Sequence, residues 1–378
     1  MLNDFVEPGA GFSPQPLDLS ARSADTAVPA FIGAFGPHCG ALTEIRSTGQ
    51  LVEVVREHVP AEWAADVLRG FFDEGGDRCY LANTSDRTLQ ETLAAVEETD
   101  EVTILVPVGL WGQGADTAGE TVRALTSYAV DHRAMVILYA ESNMDMTQVD
   151  SAVKAFDLNT DQKARTAVYH PWVVPSAGGP RPVLVPPVGA VVAAWANNDR
   201  DRGVWKAPDN VQLRSVVKPG NSPTELKQSP DDLANLLRSF PERGTRIWGS
   251  RTLAADPSAP QWAYIQTRRL ADMVERDLDR MLRPFVLEAN NAHTWDSVRG
   301  VATPYLRKLW EAGGLSGAAE VEAFAVRIGQ GVTMTEEDVK ANRLILEVGI
   351  AITRPSEFTT LTVTLDPATD PDTGSSLS

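Results

Sequence analysis

Cysteine and histidine are scarce in this chain of 378 residues, with only two cysteines and five histidines. Cys39 and Cys79 are too few for a disulfide scaffold, and their apolar neighbours predict that both are reduced and buried. None of His38, His58, His132, His170 and His293 lies at metal-ligand spacing from another histidine or a cysteine, so no metal site is expected. Each histidine is read as a surface residue or a hydrogen-bonded core residue. Bases are short as well: 34 Lys and Arg face 51 Asp and Glu, a formal net charge of −17. That balance excludes binding to nucleic acid or an anionic membrane by bulk electrostatics. No apolar run approaches the about 18 residues of a membrane span. The opening Met1–Pro8 lacks the basic and apolar regions of a secretory signal, so folding in a cytoplasm is expected. The chain also lacks a G-x-S-x-G elbow, since Gly314-Leu-Ser-Gly-Ala318 has the wrong order. Aromatic residues do not interleave with bases as a platform for single-stranded nucleic acid does. No catalytic residue, cofactor or metal is assigned, which favours a non-enzyme.

What is present is an ordinary globular composition, 43% apolar and 22% charged, in a chain long enough for two domains. The charge is uneven. Residues 1–240 carry 19 bases and 32 acids, whereas residues 241–360 carry 15 and 16. Buried runs such as Val102–Pro107 and Met135–Tyr139 alternate with amphipathic segments over 48–72, 87–98 and 117–132. This predicts an α/β fold (α+β overall) whose N-terminal domain holds a mainly parallel sheet. A long amphipathic helix is expected over 263–287, with Asp272→Arg276 as an i,i+4 pair and Asp272, Glu275, Asp277 and Asp279 on a solvated face. A second helix is expected from an N-cap at Thr294, kinked at Pro304. Strands are expected at Ala323–Ile328, Leu344–Thr353 and Phe358–Leu365. The boundaries read as an extended arm (1–27), an outer α/β domain (28–240), a C-terminal core (241–354) and a terminal strand with a polar tail (355–378).

Two features point beyond a monomer or towards a ligand. A short apolar patch at Phe5-Val6 and the β-branched run at Phe358–Leu365 have few obvious sheet partners, so they pair either with each other or with neighbouring chains. The stretch from Val106 to Thr117 follows a strand and precedes a helix, where a phosphate-cradling loop would sit, but it carries neither G-x-G-x-x-G nor G-K-[ST]. An α/β nucleotide-binding enzyme using residues 106–117 therefore stays an alternative, as does a non-contractile shell or scaffold protein.

A run from Pro186 to Asn210 resembles the signature of contractile tail sheath proteins. A Pro-Pro-small-Gly opening leads into an apolar helix and then a turn matched by Asp199, Arg202, Gly203, Trp205, Lys206, Ala207, Pro208 and Asn210. Further similarity lies in Phe71-Phe-Asp-Glu-Gly-Gly76, Arg268-Arg-Leu270, Phe285–Asn290, Trp295–Arg299, Leu309-Trp310 and Arg354–Phe358, so that it covers nearly the whole chain. The family's usual N-terminal Pro-Gly-Val-Tyr-Val-Glu-Glu segment is shortened here to Asn3–Pro8. The resemblance implies a structural subunit that stacks as hexameric rings around an inner tube, contracts when triggered at a baseplate, and meets a terminator or cap protein. It implies no cofactor, nucleic acid or membrane insertion. It makes Phe5, Val6, Phe358, Leu361, Val363 and Leu365 candidate strand arms exchanged between subunits. It places Lys340 and Arg343, after a Thr335 N-cap, as candidate tube contacts.

Overall fold

The computed structural model describes residues 26–55, 63–177, 183–220, 233–254, 260–352 and 359–365. Its apolar runs form strands β1 (Pro29–Gly33), β3 (Cys79–Asn83), β4 (Ile104–Pro107), β5 (Met135–Tyr139) and β6 (Thr166–His170), joined by β2 (Leu42–Ile45) and by β9 (Ala234–Phe240) and β10 (Gly244–Trp248). Together they make one eight-stranded sheet ordered β10-β9-β6-β5-β4-β1-β3-β2. Every pair is parallel except β2 with β3 and β10 with β9. Strands β1, β4, β5 and β6 are buried along their whole length because helices cover both faces. These helices are α1 (Thr48–Val55), α2 (Ala64–Asp73), α3 (Leu89–Glu97), α4 (Ala115–Asp131), α5 (Met146–Ala155), α6 (Thr160–Ala164) and α7 (Val188–Arg202). Capping boxes at Thr88, Asp145 and Asn159 fix the starts of α3, α5 and α6. A small antiparallel pair, β7 (Val173–Pro175) with β8 (Val216–Pro219), flanks the sheet.

The two sheet edges are treated differently. The outer side of β10 is bonded by the segment after α7: Leu213 N–H donates to Thr245 O at 2.8 Å and Ile247 N–H to Val211 O at 3.0 Å. The outer strand β2 carries charge instead, with Arg46 paired to Glu44 at 2.6 Å.

The chain continues into α8 (Ile265–Leu282), a 3-10 turn over Arg283–Leu287, α9 (Ala292–Glu311), α10 (Glu320–Ala323), β11 (Phe324–Arg327), α11 (Glu336–Lys340), β12 (Leu344–Ile350) and β13 (Thr359–Leu365). The last three strands form an antiparallel sheet ordered β11-β12-β13. Leu344, Leu346, Val348 and Ile350 turn one face of β12 inward, onto α8 and α9. Two hydrophobic cores result. The first runs from Ala27 to Ile265, and the second holds residues 270–352 plus Val204.

Several expectations change. A boundary at 240 cuts the β9–β10 hairpin, and the cores divide between Ile265 and Leu270 instead. The N-cap of α9 is Asn291, whose side chain accepts from His293 and Thr294 N–H, and α9 continues through Pro304. The carbonyl that the Pro304 ring would crowd belongs to Gly300, which is exposed to water. Asp272 and Asp277 are buried rather than solvated. Asp272 pairs with Arg268 and Arg165, not with Arg276. The C-terminal strand does have a partner in its own chain, since Leu361, Val363 and Leu365 stand opposite Val348, Leu346 and Leu344. Once α8 and α9 cover one face of β12, its second edge lies open for the chain to return to. Phe5, Val6 and Phe358 lie outside the described residues.

His170, at the end of β6, is fully buried, and neither ring nitrogen has a hydrogen-bond partner among the described residues. Burial pushes its pKa down to about 4, against a weak opposing pull from Asp145. The folded state therefore holds the ring neutral while the unfolded chain protonates near the ordinary value of 6.5. Stability from this group is full above that value and is lost as pH falls from there towards 4, at up to about 1.4 kcal/mol per pH unit. His170→Phe is expected to flatten this part of a urea-midpoint-versus-pH profile.

Candidate functional site: the junction of the two cores

The signature turn after α7 is the place where the two cores are joined. Helix α7 is apolar from Val188 to Ala196, where it lies under the sheet and against α2, and polar over its last turns. Its second residue is Gly189, where a Cβ would stand 1.9 Å from the Val67 carbonyl oxygen, so no side chain fits there. The helix ends at Gly203, whose φ of +90° reverses the chain. A Cβ at Gly203 would lie 2.4 Å from the Trp205 ring, which folds back over it. The reversal sends Val204 into the second core with Trp205 packed against that core. Asn198 Nδ2 donates to Lys206 O at 2.8 Å, Arg202 Nη1 donates to Asn198 Oδ1 at 3.2 Å, and Pro208 is buried. Asn210 N–H then donates to Ile247 O at 2.8 Å and starts the cover over β10.

Asp199, the first signature residue, is fully buried. Both its oxygens accept from the Arg269 guanidinium on α8, one of them at 2.9 Å, and the ring of Trp195 lies 4.8 Å from that guanidinium. Thr26 Oγ1 donates to Asp199 Oδ2 at 2.6 Å, and Arg269 Nη2 also donates to Thr26 O at 2.9 Å. One bidentate pair thus ties α7, α8 and the root of the N-terminal arm together.

The seam continues along α8. Arg165 and Arg268 both donate to Asp272 Oδ1, at 2.5 and 2.9 Å, and Arg268 reaches Glu275 at 3.2 Å while lying over Trp262. Burial alone would lower the Arg268 pKa, but Asp272 and Glu275 outweigh it and hold it raised. Arg133 at the end of α4 bridges Glu275 at 2.9 Å and Asp279 at 2.5 Å. The first core is therefore bolted to α8 mostly by ion pairs. None of Thr26, Arg133 and Arg165 was singled out from sequence, and the only hint was Arg268-Arg269 with Asp272 four residues on.

The remaining sequence candidates sit elsewhere. Trp295 Nε1 donates to Asn290 Oδ1 at 2.6 Å and Trp310 Nε1 to Gly317 O at 3.0 Å, so both tryptophans staple turns of the second core. Lys340 and Arg343 lie on and just after α11 and are already paired, with Glu336 at 2.7 Å and Asp338 at 2.9 Å. The Thr335 side-chain and backbone hydrogen bonds, helped by Arg343, hold the Asp338 carboxyl below its ordinary range.

The loop 106–117 lies where a doubly wound sheet reverses direction, beside a crevice of about 790 Å³ between the ends of β1 and β4. Part of its set of backbone donors is taken. Gly109 and Leu110 N–H both donate to the Tyr139 hydroxyl, at 3.1 and 3.0 Å. Asp116 adds negative charge to the first turn of α4. Among the described residues no group of three or more His, Cys, Asp or Glu could hold a metal ion.

The molecule is thus a two-core α/β scaffold whose cores are joined by buried ion pairs. Residues 258–366 match the family model described as the phage tail sheath C-terminal domain. The helical sheath of the anti-feeding prophage in its contracted state is 32% identical with a TM-score of 0.73, covering 90% of this chain and 94% of that one. The sheath complex of the extracellular contractile injection system PVC, also contracted, is 30% identical with a TM-score of 0.71, covering 90% and 92%. A prophage major tail sheath protein of Pseudomonas aeruginosa (strain UCBPP-PA14) is 26% identical over 207 residues, 53% of this chain. The match spans about half of that relative, 48% of its length. The chain belongs to the contractile tail sheath family.

Proposed function

We propose that this chain is the repeating subunit of a contractile sheath. It stacks as hexameric rings around an inner tube and shortens to drive that tube through a target envelope. The observation that carries this is the likeness, over nearly the whole chain, to a helical sheath solved in its contracted state. The role is mechanical rather than enzymatic. Assembly takes place in the cytoplasm, from a baseplate at one end to a terminator at the other, in a phage tail or a contractile injection particle. Imaging of assembled particles by negative stain tests the reading: hollow cylinders of two lengths are expected, and rigid tubes of one length, or no polymer, would overturn it.

Linkage between subunits is assigned to the three-stranded sheet. Strands β11 and β13 each have one side unpaired among the described residues. Such an edge is the place proposed for the apolar Phe5-Val6 segment of a neighbour. The place that β13 fills in the single chain can be filled equally by a neighbour's β13 in the same register, since backbone pairing does not distinguish copies.

The surface reading is consistent with packing among copies. Leu287 is 88% exposed at the tip of the Arg283–Leu287 turn, and Val321 is 82% exposed. Leu287→Asp is expected to leave the melting temperature of the monomer within about 1 °C, as surface changes usually do, and to lower polymer yield measured by sedimentation. Lys340 and Arg343 remain candidate tube contacts. Both cations lie at the surface in pairs that water screens, so a tube surface can compete for them.

A further inference from the structure

The N-terminal arm enters the folded body at Thr26, three residues before β1 begins. Two sets of bonds compete for it there. Thr103 Oγ1, in the first core, donates to Thr26 O at 3.0 Å and is a neutral partner. Arg269, on α8, donates to the same oxygen at 2.9 Å, and Asp199 accepts the Thr26 hydroxyl at 2.6 Å. Both of the latter bonds are charge-assisted, and such bonds are roughly twice as strong as neutral ones. Thr26 and Arg269 stand 243 residues apart in the chain, with the entire first core between them.

We propose that Asp199 and Arg269 are positioning residues for the mechanical work of the subunit: they take tension applied to the N-terminal arm and pass it directly into α8 and the second core. The first core is short-circuited. Without the clamp, a pull on the arm peels β1 from the middle of the eight-stranded sheet. With it, the pull runs from Thr26 to Arg269, along α8, and out through the three-stranded sheet. The proposal rests on reading the arm as a tether between copies, but its test needs only one chain.

The experiment is single-molecule stretching of the full chain between handles at Asn3 and Ser375. The comparison is wild type against Asp199→Leu/Arg269→Met, which removes both charges together. Opening the first core releases about 80 nm of chain, from 243 residues at 3.3–3.6 Å each. In wild type this release is expected last, after the second core has opened. In the double variant it is expected first. A control pull between Gln90 and Lys154, both exposed on the first core, is expected to give equal forces in the two proteins.

The same order of events in both proteins overturns the proposal. So does an equal loss of force in the control pull, which would make the pair a plain stabiliser. If the double variant does not fold, Thr26→Val, which keeps the ion pair, is read instead. The first-core release is then expected to come first in a larger fraction of traces, and an unchanged fraction overturns the proposal. Absence of polymer would count against the tether reading and leave this order of events untouched.

Discussion

Asp199→Ala is expected to cost about 3–5 kcal/mol of folding stability, the range for breaking a buried ion pair from one side. The reason is what the substitution leaves behind. Arg269 is only 4% exposed and keeps its charge, so it loses its counter-ion without gaining water. The Thr26 hydroxyl loses its acceptor at the same moment. Because a domain's whole stability is about 5–15 kcal/mol, such a loss moves the urea midpoint far or prevents soluble expression. Asp199→Leu/Arg269→Met is expected to recover most of it, since a well-packed apolar pair avoids the desolvation cost. Equal urea midpoints for wild type and Asp199→Ala would show that the pair contributes nothing net.

Deleting residues 357–378 is expected to abolish polymerisation while leaving a folded subunit. The truncation removes β13 in either of its roles, as the chain's own third strand or as a strand given to a neighbour. It does not touch the first core, and it leaves β12 paired with β11 and packed on α8 and α9. Far-UV circular dichroism should therefore stay near wild type, while sedimentation and negative stain show no tubes. Mixed with wild type, the truncated chain accepts a strand but gives none, so tubes are expected to be shorter. Tubes of normal length from the truncated chain alone would remove β13 from the linkage.

Much of the architecture was legible because its signals are simple. Met135–Tyr139 is a continuous apolar run and became a fully buried strand. Leu344–Ile350 alternates, and its alternation is the burial pattern observed. The segment from Val216 to Trp248 was not legible. Prolines and charged residues interrupt it, and its strands are held by neighbours in space rather than by a pattern of their own. The face of α8 misled for a different reason. A stripe of Asp, Glu and Arg looks the same in sequence whether it meets water or an opposing set of charges, and Arg133 and Arg165 lie over a hundred residues away from it. The signature turn could be recognised as a string of letters. Only coordinates explain Gly203, whose missing side chain is the space that the Trp205 ring occupies.

The edges of the eight-stranded sheet carry a consequence for growth. A subunit that must crowd against identical copies risks sticking to them at every exposed strand. Here the segment after α7 covers the outer side of β10, and β2 carries charge beside its outer edge. With linkage through the small sheet of the second core, as proposed, a newly arrived copy is expected to meet one address and to add only at the end of the polymer.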